Sequence, residues 1–287
     1  MKKQLIYLGY AFSWKLLKVL PEKFAYRMGT FIADYVYKKN GKGVQRLRKN
    51  YSRVLDRPAP EDMVQAGMRS YLRYWIDTFR FPIWSKERII NTVTCEGEEL
   101  LRDPIGNGRG VIVSLPHAGN WDHAGAYFCA TGIPLTTVAE HLEPEKLFRK
   151  FLVHRENLGM EVLDLNSRSI ATLSKRARSG KLIALVADRD LSSNGVEVEL
   201  CGYKAKFPAG PALLAIQTGA ALITAFIRYE ERGIRIIFGS EIPVPSFGDT
   251  QSKIKIMNQE IANRFGKELR KDPVDWHMLQ RIWPDLS

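Results

Sequence analysis

The spacing of hydrophobic positions changes near residue 90. Before it, apolar side chains recur every three or four residues, the period of an amphipathic helix. Residues 5–20 read as a first helix. Pro21 opens a second, through Phe24, Met28, Phe31, Ile32 and Val36, and Gly41-Lys42-Gly43 breaks it. A third spans 44–54. Pro58 and Pro60 make a turn, and a fourth helix runs from about 60 to 81 with Met68, Tyr71, Trp75 and Phe79 on its apolar side. Pro82 ends it, because proline disfavours helical geometry in the residue before it.

After residue 90, short β-branched runs alternate with helical stretches. Residues 92–95 read as a strand and 97–102 as a short helix. Strands at 110–115, 135–139, 160–163 and 182–187 alternate with helices at 120–131, 143–158 and 169–179. That alternation predicts an α/β fold with a mostly parallel central sheet flanked by helices, joined to a helical N-terminal region. Residues 196–207 depart from it and read as a hairpin. A helix of small residues follows at 208–217, then antiparallel strands at 221–229 and 234–242 around Gly233, and a last helix at 253–271. No repeat or flexible linker divides the chain, so 1–287 is expected to form one unit with residues 1–90 as a helical part of it.

Charge adds a direction to this picture. Of a net charge of +12, nearly all arises in residues 1–57, which hold 14 lysines and arginines against Glu22, Asp34 and Asp56. Such a segment suits an anionic surface, either acidic lipid or nucleic acid. Lys15 and Lys18 interrupt the first apolar run, and no small-x-small site follows, so it reads as neither a secretion signal nor a membrane span. Leu5, Leu8, Phe12, Trp14, Leu16, Leu17, Val19 and Leu20, flanked by lysines and tyrosines, fit a helix lying in the headgroup plane. Packing on its own domain is the alternative. The chain shows no helix-turn-helix, RNA-recognition signature or zinc ligands, which leaves nucleic-acid binding through 1–57 remote. Cys95, Cys129 and Cys201 are scattered and odd in number. They suggest a reducing compartment and small buried thiols rather than disulfides.

The chemistry is expected in VIVSLPHAGNWD, residues 111–122. A buried strand stops at Pro116, presents His117, turns through Gly119-Asn120 and reaches Asp122 as a helix begins. Carboxyl ends of parallel strands are where open α/β sheets bind ligands. A neutral histidine suits proton removal near pH 7, and a carboxylate on its other nitrogen fixes the tautomer. The bend at Gly119-Asn120 is expected to turn Asp122 back toward the ring. No serine or cysteine nucleophile is clearly placed, with Ser114 and Ser192 as the open candidates, so the attacking hydroxyl is expected from a substrate. The helix N-terminus beside His117 suits a phosphate or a developing oxyanion.

Other residues have plainer readings. His123 follows Asp122, but the H-x-H-x-D-H pattern of a metal site is missing, and no metal is expected. His141, His154 and His277 read as surface or capping histidines. Gly106-Asn107-Gly108-Arg109-Gly110 precedes a strand and reads as a turn, not a phosphate cradle. Asp188-Arg189-Asp190 is either an ion pair at a strand end or a substrate contact. Arg155 reads as a solvated helix charge.

His117-Ala118-Gly119-Asn120-Trp121-Asp122 resembles the HX4D motif of the glycerolipid and lipid A acyltransferase superfamily. Asp188-Arg189-Asp190, Gly195-Val196-Glu197-Val198, Gly202 and Pro208-Ala209-Gly210-Pro211-Ala212 follow in the order seen in its lipid A branch. SLPHAGNWDHAGA, VAEHLEPEKLFRKF, HRENLGMEVL and DWHMLQRIW resemble the phosphatidylinositol mannoside acyltransferases, from residue 41 to the C-terminus. The resemblance implies transfer of a fatty acyl chain, typically palmitoyl, from acyl-CoA as co-substrate, with no cofactor, to a mannose hydroxyl of a phosphatidylinositol mannoside. It implies a peripheral protein on the cytoplasmic face of the plasma membrane. His117 would be the base, Asp122 its partner, and Glu197 a further carboxylate, with Glu199 on the same strand face. Glu140, Arg155, Asp188 and Arg189 would contact substrate. Leu200-Cys201 departs from the family, where paired aromatics are common. An acceptor of lipid A type with an acyl carrier protein as donor is the nearest alternative.

Overall fold

The seven-stranded sheet is built around a strand with no polar face. Val111–Leu115 (β2) is buried at every position, as expected of a parallel strand covered on both sides. Val111, Val113 and Leu115 pack into one hydrophobic cluster and Ile112 into another across the sheet. The structure, a computed structural model, describes residues 2–140, 143–165, 169–190 and 194–285.

Four helices come first: Lys2–Val19 (α1), Glu22–Lys39 (α2), Lys42–Leu55 (α3) and Glu61–Arg80 (α4). The second ends at Asn40, which takes a left-handed φ of 46°, and Gly41 starts the next. Gly43 therefore lies inside a helix, and the break falls earlier than the glycines suggest. A 3-10 turn at Phe81–Ile83 follows, then Lys86–Asn91 (α5), a short helix capped by Ser85 that the apolar pattern does not reveal. Val93–Glu96 (β1) and Glu99–Gly106 (α6) lead to β2.

Then come Trp121–Ala130 (α7), Leu135–Ala139 (β3), Glu145–Asn157 (α8), Glu161–Asp164 (β4), Ser169–Arg178 (α9) and Leu182–Val186 (β5). Val196–Leu200 (β6) and Tyr203–Phe207 (β7) form the separate antiparallel hairpin. Gly210–Thr218 (α10), Ala221–Glu230 (β8), Gly233–Phe238 (β9) and Thr250–Lys271 (α11) complete the order. The β9 strand is shorter than its apolar run, and only Gly239 and Ile242 still donate to β8 carbonyls beyond it.

The sheet order is β1-β9-β8-β2-β5-β3-β4. Pairing is parallel except between β8 and β9. One register matters most: Leu115 of β2 lies opposite Val186 of β5. Residues 117 and 188, each two positions past that pair, therefore leave the same edge of the sheet side by side.

Helix α2 inverts the usual amphipathic rule. Its buried face carries Ala25, Gly29 and Ala33, one helical turn apart. A Cβ at Gly29 would stand 2.0 Å from Ile76 Cδ1 of α4, so the missing side chain sets how close the two helices come. The large apolar residues that mark it in the sequence, Phe24, Phe31, Ile32 and Val36, are exposed. Helix α1 divides: Trp14 and Leu17 are buried beside Phe79 and Phe151, whereas Leu8, Phe12 and Val19 are exposed. Among the described residues no helix is long and apolar enough to cross a membrane. The three cysteines are free and only half-buried.

Candidate active site

The loop after β2 is fixed by backbone geometry. Gly119 has φ +59°, and a Cβ there would lie 2.6 Å from the carbonyl oxygen of Ile227, so neither the turn nor the close approach admits a side chain. Asn120 caps α7, its Oδ1 accepting from the His123 amide at 3.0 Å. His117 stands at the open end with 26% of its side chain exposed, its ring edge-on to Trp121 at 5.6 Å.

The carboxylate on that ring is Asp188, not Asp122. His117 Nδ1 lies 2.5 Å from Asp188 Oδ1, and the His117 amide donates to Oδ2 at 3.0 Å. Asp188 is 1% exposed. Burial alone would push its carboxyl up, but His117 and the hydrogen-bond donors around it hold it below the ordinary carboxylate range. An ionised carboxylate has only acceptors, so in the neutral imidazole the proton sits on Nδ1 and the lone pair is on Nε2. Trp276 Nε1 donates to Asp188 Oδ2 at 2.8 Å.

Asp122 sits in the first turn of α7 and faces the helices instead of the ring. Arg155 Nε of α8 donates to its Oδ1 at 2.8 Å, and Tyr74 Oη of α4 donates to its Oδ2 at 3.0 Å. The Tyr74 ring stacks on Trp121 at 4.3 Å. Burial would weaken the Arg155 charge, yet Asp122 and Tyr74 raise the guanidinium above its usual value. Arg155 is thus a buried ion-pair partner, not a solvated charge. Its attraction to Asp122 explains why the expected bend back to His117 does not form.

Glu197 does not join the site. It lies on the solvent face of the hairpin, 58% exposed, with Lys204 Nζ at 3.1 Å. Glu199 shares that face, and its backbone pairs with the Gln259 side chain. Strand alternation turns Val198 inward and both carboxylates outward. Glu140 is exposed at the end of β3, 3.7 Å from Arg189 Nη2. Arg189 is largely buried, and its Nη1 has no hydrogen-bond partner among the described residues. Ser114 is fully buried inside the sheet, and Ser192 and His141 lie outside the described residues.

His154 and His277 are buried, contrary to a surface role. His154 packs among Trp14 and Phe81. His277 touches Tyr71, Tyr74 and Trp121, and its Nε2 meets Ser70 Oγ at 2.9 Å. His123 is held by Phe81, Trp84 and the Ile89 carbonyl.

Near the dyad, reached through Trp121, runs a mainly apolar slot between the sheet and α7. Trp121, Asp122 and Arg155 are in its wall, as are Val113, Leu115, Ala184 and Val186 from the strands and Leu101, Phe128 and Phe238. A histidine–carboxylate pair at a strand end, next to a slot walled by aliphatic and aromatic side chains, suits chemistry on a long apolar chain. The family model for bacterial lipid A biosynthesis acyltransferases matches residues 1–284. The chain belongs to that family. It is 38% identical over 287 residues to the phosphatidylinositol mannoside acyltransferase of Mycolicibacterium smegmatis, covering 98% of this chain and 92% of that protein. It is 37% identical over 288 residues to the enzyme of that name from Mycobacterium tuberculosis, covering 97% and 89%. The resemblance read from the motifs is therefore established over nearly the whole chain.

The sequence reading placed Asp122 on the His117 ring, and the structure places Asp188 there instead. One signal was available: Asp188 follows the buried run 182–187 as His117 follows 110–115. Tyr74 carried none, because it looks like one more core aromatic, and Trp276 stood out only as part of the DWHMLQRIW stretch, with no link to Asp188.

Proposed function

We propose that this acyltransferase moves a fatty acyl chain, palmitoyl in the first instance, from acyl-CoA to a mannose hydroxyl of a phosphatidylinositol mannoside. It would work as a peripheral protein on the cytoplasmic face of the plasma membrane. The observation that carries the mechanism is the His117–Asp188 pair with Nε2 left free. Nε2 takes the proton of the acceptor hydroxyl as that oxygen attacks the thioester carbonyl, and Asp188 stabilises the imidazolium that forms. The new carbon–oxygen bond closes, the carbon–sulfur bond breaks, and the departing thiolate recovers the proton from His117. No acyl-enzyme is needed, in keeping with the burial of Ser114.

The acyl chain would occupy the apolar slot. Nη1 of Arg189, without a hydrogen-bond partner among the described residues and next to Asp188 in sequence, suits an anionic or hydroxyl group of a substrate, with Glu140 beside it. The N-terminus of α7, three residues past His117, favours the tetrahedral oxyanion. The acceptor is supported by the names of the two mycobacterial relatives. The membrane reading is supported by the exposed apolar residues of α1 and α2 within the basic N-terminal region.

The deciding experiment is mass spectrometry of products from palmitoyl-CoA with phosphatidylinositol mannosides and lipid A precursors as competing acceptors. A palmitoyl mass gain on the mannoside is expected. Acylation of the lipid A precursor alone, or only with an acyl carrier protein as donor, would overturn the assignment. His117→Ala should abolish transfer while the fold persists, and retained turnover would remove His117 as the base.

A further inference from the structure

The segment Asp275-Trp276-His277 touches both members of the dyad. Asp188 Oδ1 faces His117. Its Oδ2 accepts from the His117 amide and from the Trp276 indole. The amide belongs to the same loop as the ring and moves with it. The indole N–H comes from elsewhere in the chain and opposes rotation of the carboxylate about its Cβ–Cγ bond.

Trp276 is itself held. It is 0% exposed and packs against Trp283. Its amide donates to the Pro273 carbonyl. Tyr51 Oη donates to the Val274 carbonyl at 2.9 Å and lies 3.2 Å from that of Trp276, and Asn50 Nδ2 donates to the Met278 carbonyl at 2.7 Å, so α3 fixes the segment on one side. The other side grips the histidine loop. Gly119 donates to the Asp275 carbonyl at 2.8 Å, and the His277 amide donates to the His117 carbonyl at 2.8 Å. The Asp275 side chain is locked in turn by Ser70 Oγ at 2.6 Å and the Tyr229 amide at 2.8 Å. One rigid segment thus sets the distance between the loop bearing His117 and the carboxylate of Asp188.

We infer that Trp276 is a positioning residue for the reaction: its indole N–H keeps Asp188 Oδ1 aimed at His117 Nδ1, and so keeps Nε2 the basic nitrogen. This rests on the reading of His117 as the base. Replacing Trp276 with 3-benzothienylalanine preserves the bicyclic shape and removes the donor. The expected result is a fall in kcat of about ten- to a hundredfold, the range for a lost hydrogen bond to a charged group. KM stays within about twofold, because the buried indole touches no substrate. The acid limb of the kcat/KM profile moves to lower pH, since a carboxylate free to turn holds the imidazolium less well. Trp276→Phe, which keeps an aromatic core residue, should show the same split more steeply.

An unchanged kcat and acid limb in the benzothienyl variant would overturn the inference. So would a kcat loss that tracks the melting temperature and recovers on cooling. His117→Ala and Asp188→Asn measured alongside separate the two readings. An active His117→Ala variant defeats the base assignment. An inactive one, paired with a wild-type-like benzothienyl variant, defeats only the role of Trp276.

Discussion

At Asp122 a buried negative charge is balanced by the Arg155 guanidinium and the Tyr74 hydroxyl. Removing one partner of such a pair strands the other charge in the interior, which costs about 3–5 kcal/mol, while replacing both by apolar groups is often neutral. Asp122→Ala is therefore expected to lower unfolding free energy in urea by that amount, and Asp122→Leu with Arg155→Met to recover most of it. A single variant as stable as the parent would show that Arg155 finds solvent instead. Asp122 ties α7 to α4 and α8, and the carboxylate that contacts His117 is Asp188.

Among the elements, α2 separates packing from surface chemistry most clearly. Its small residues meet α4, and its large apolar residues face outward, with Phe24 55% and Phe31 73% exposed. An exposed aromatic contributes little to folding, whereas inserting a phenyl ring into lipid is worth about 1.5–3 kcal/mol. Phe24→Ser with Phe31→Ser should leave the melting temperature nearly unchanged and weaken binding to anionic vesicles at least tenfold, read by co-flotation. Undiminished flotation would mean that α2 does not enter the lipid. Lys23 and Arg27 flank Phe24 in sequence, so raised salt should add to the loss.

For the whole molecule, acid sensitivity follows from three buried histidines. Burial pushes His123 and His154 down to about 4 and His277 to about 3, from 6.5. As pH falls below 6.5 the unfolded chain takes up protons that the folded chain refuses, so stability present at neutral pH is lost down to about pH 4. Between pH 6.5 and 5 each histidine costs on the order of 2 kcal/mol. Asp188, whose carboxyl is also lowered, acts in the same direction at more acid pH: its contribution is complete above the unfolded carboxyl value and is lost as pH falls through the folded one. Urea midpoints should be level from pH 8 to 7 and fall from 6.5 to 5, and His154→Met should flatten that slope by about a third. A level profile to pH 5 would mean that these histidines are protonated in the folded state.

The order of strands and helices, the parallel sheet and the strand-end histidine were legible because they depend on local pattern: apolar period, proline and glycine punctuation, and one polar residue after a buried strand. The family was legible because HX4D and its companion motifs keep their order along the chain. Which carboxylate meets His117 was not, since Asp188 is 71 residues away and becomes a neighbour only through the register of β2 with β5. Nor was the outward face of α2, because a helix pattern shows that an apolar stripe exists but not which stripe a neighbouring helix covers. Glu197 looked eligible in a V-E-V strand, and the alternation of a solvent-facing hairpin turned it away. By itself the sequence determined most of the elements, the family and the strand-end position of His117. The tertiary structure decided the carboxylate partner of His117, because hydrogen bonding depends on distance in space and long-range distances are set by strand register and packing.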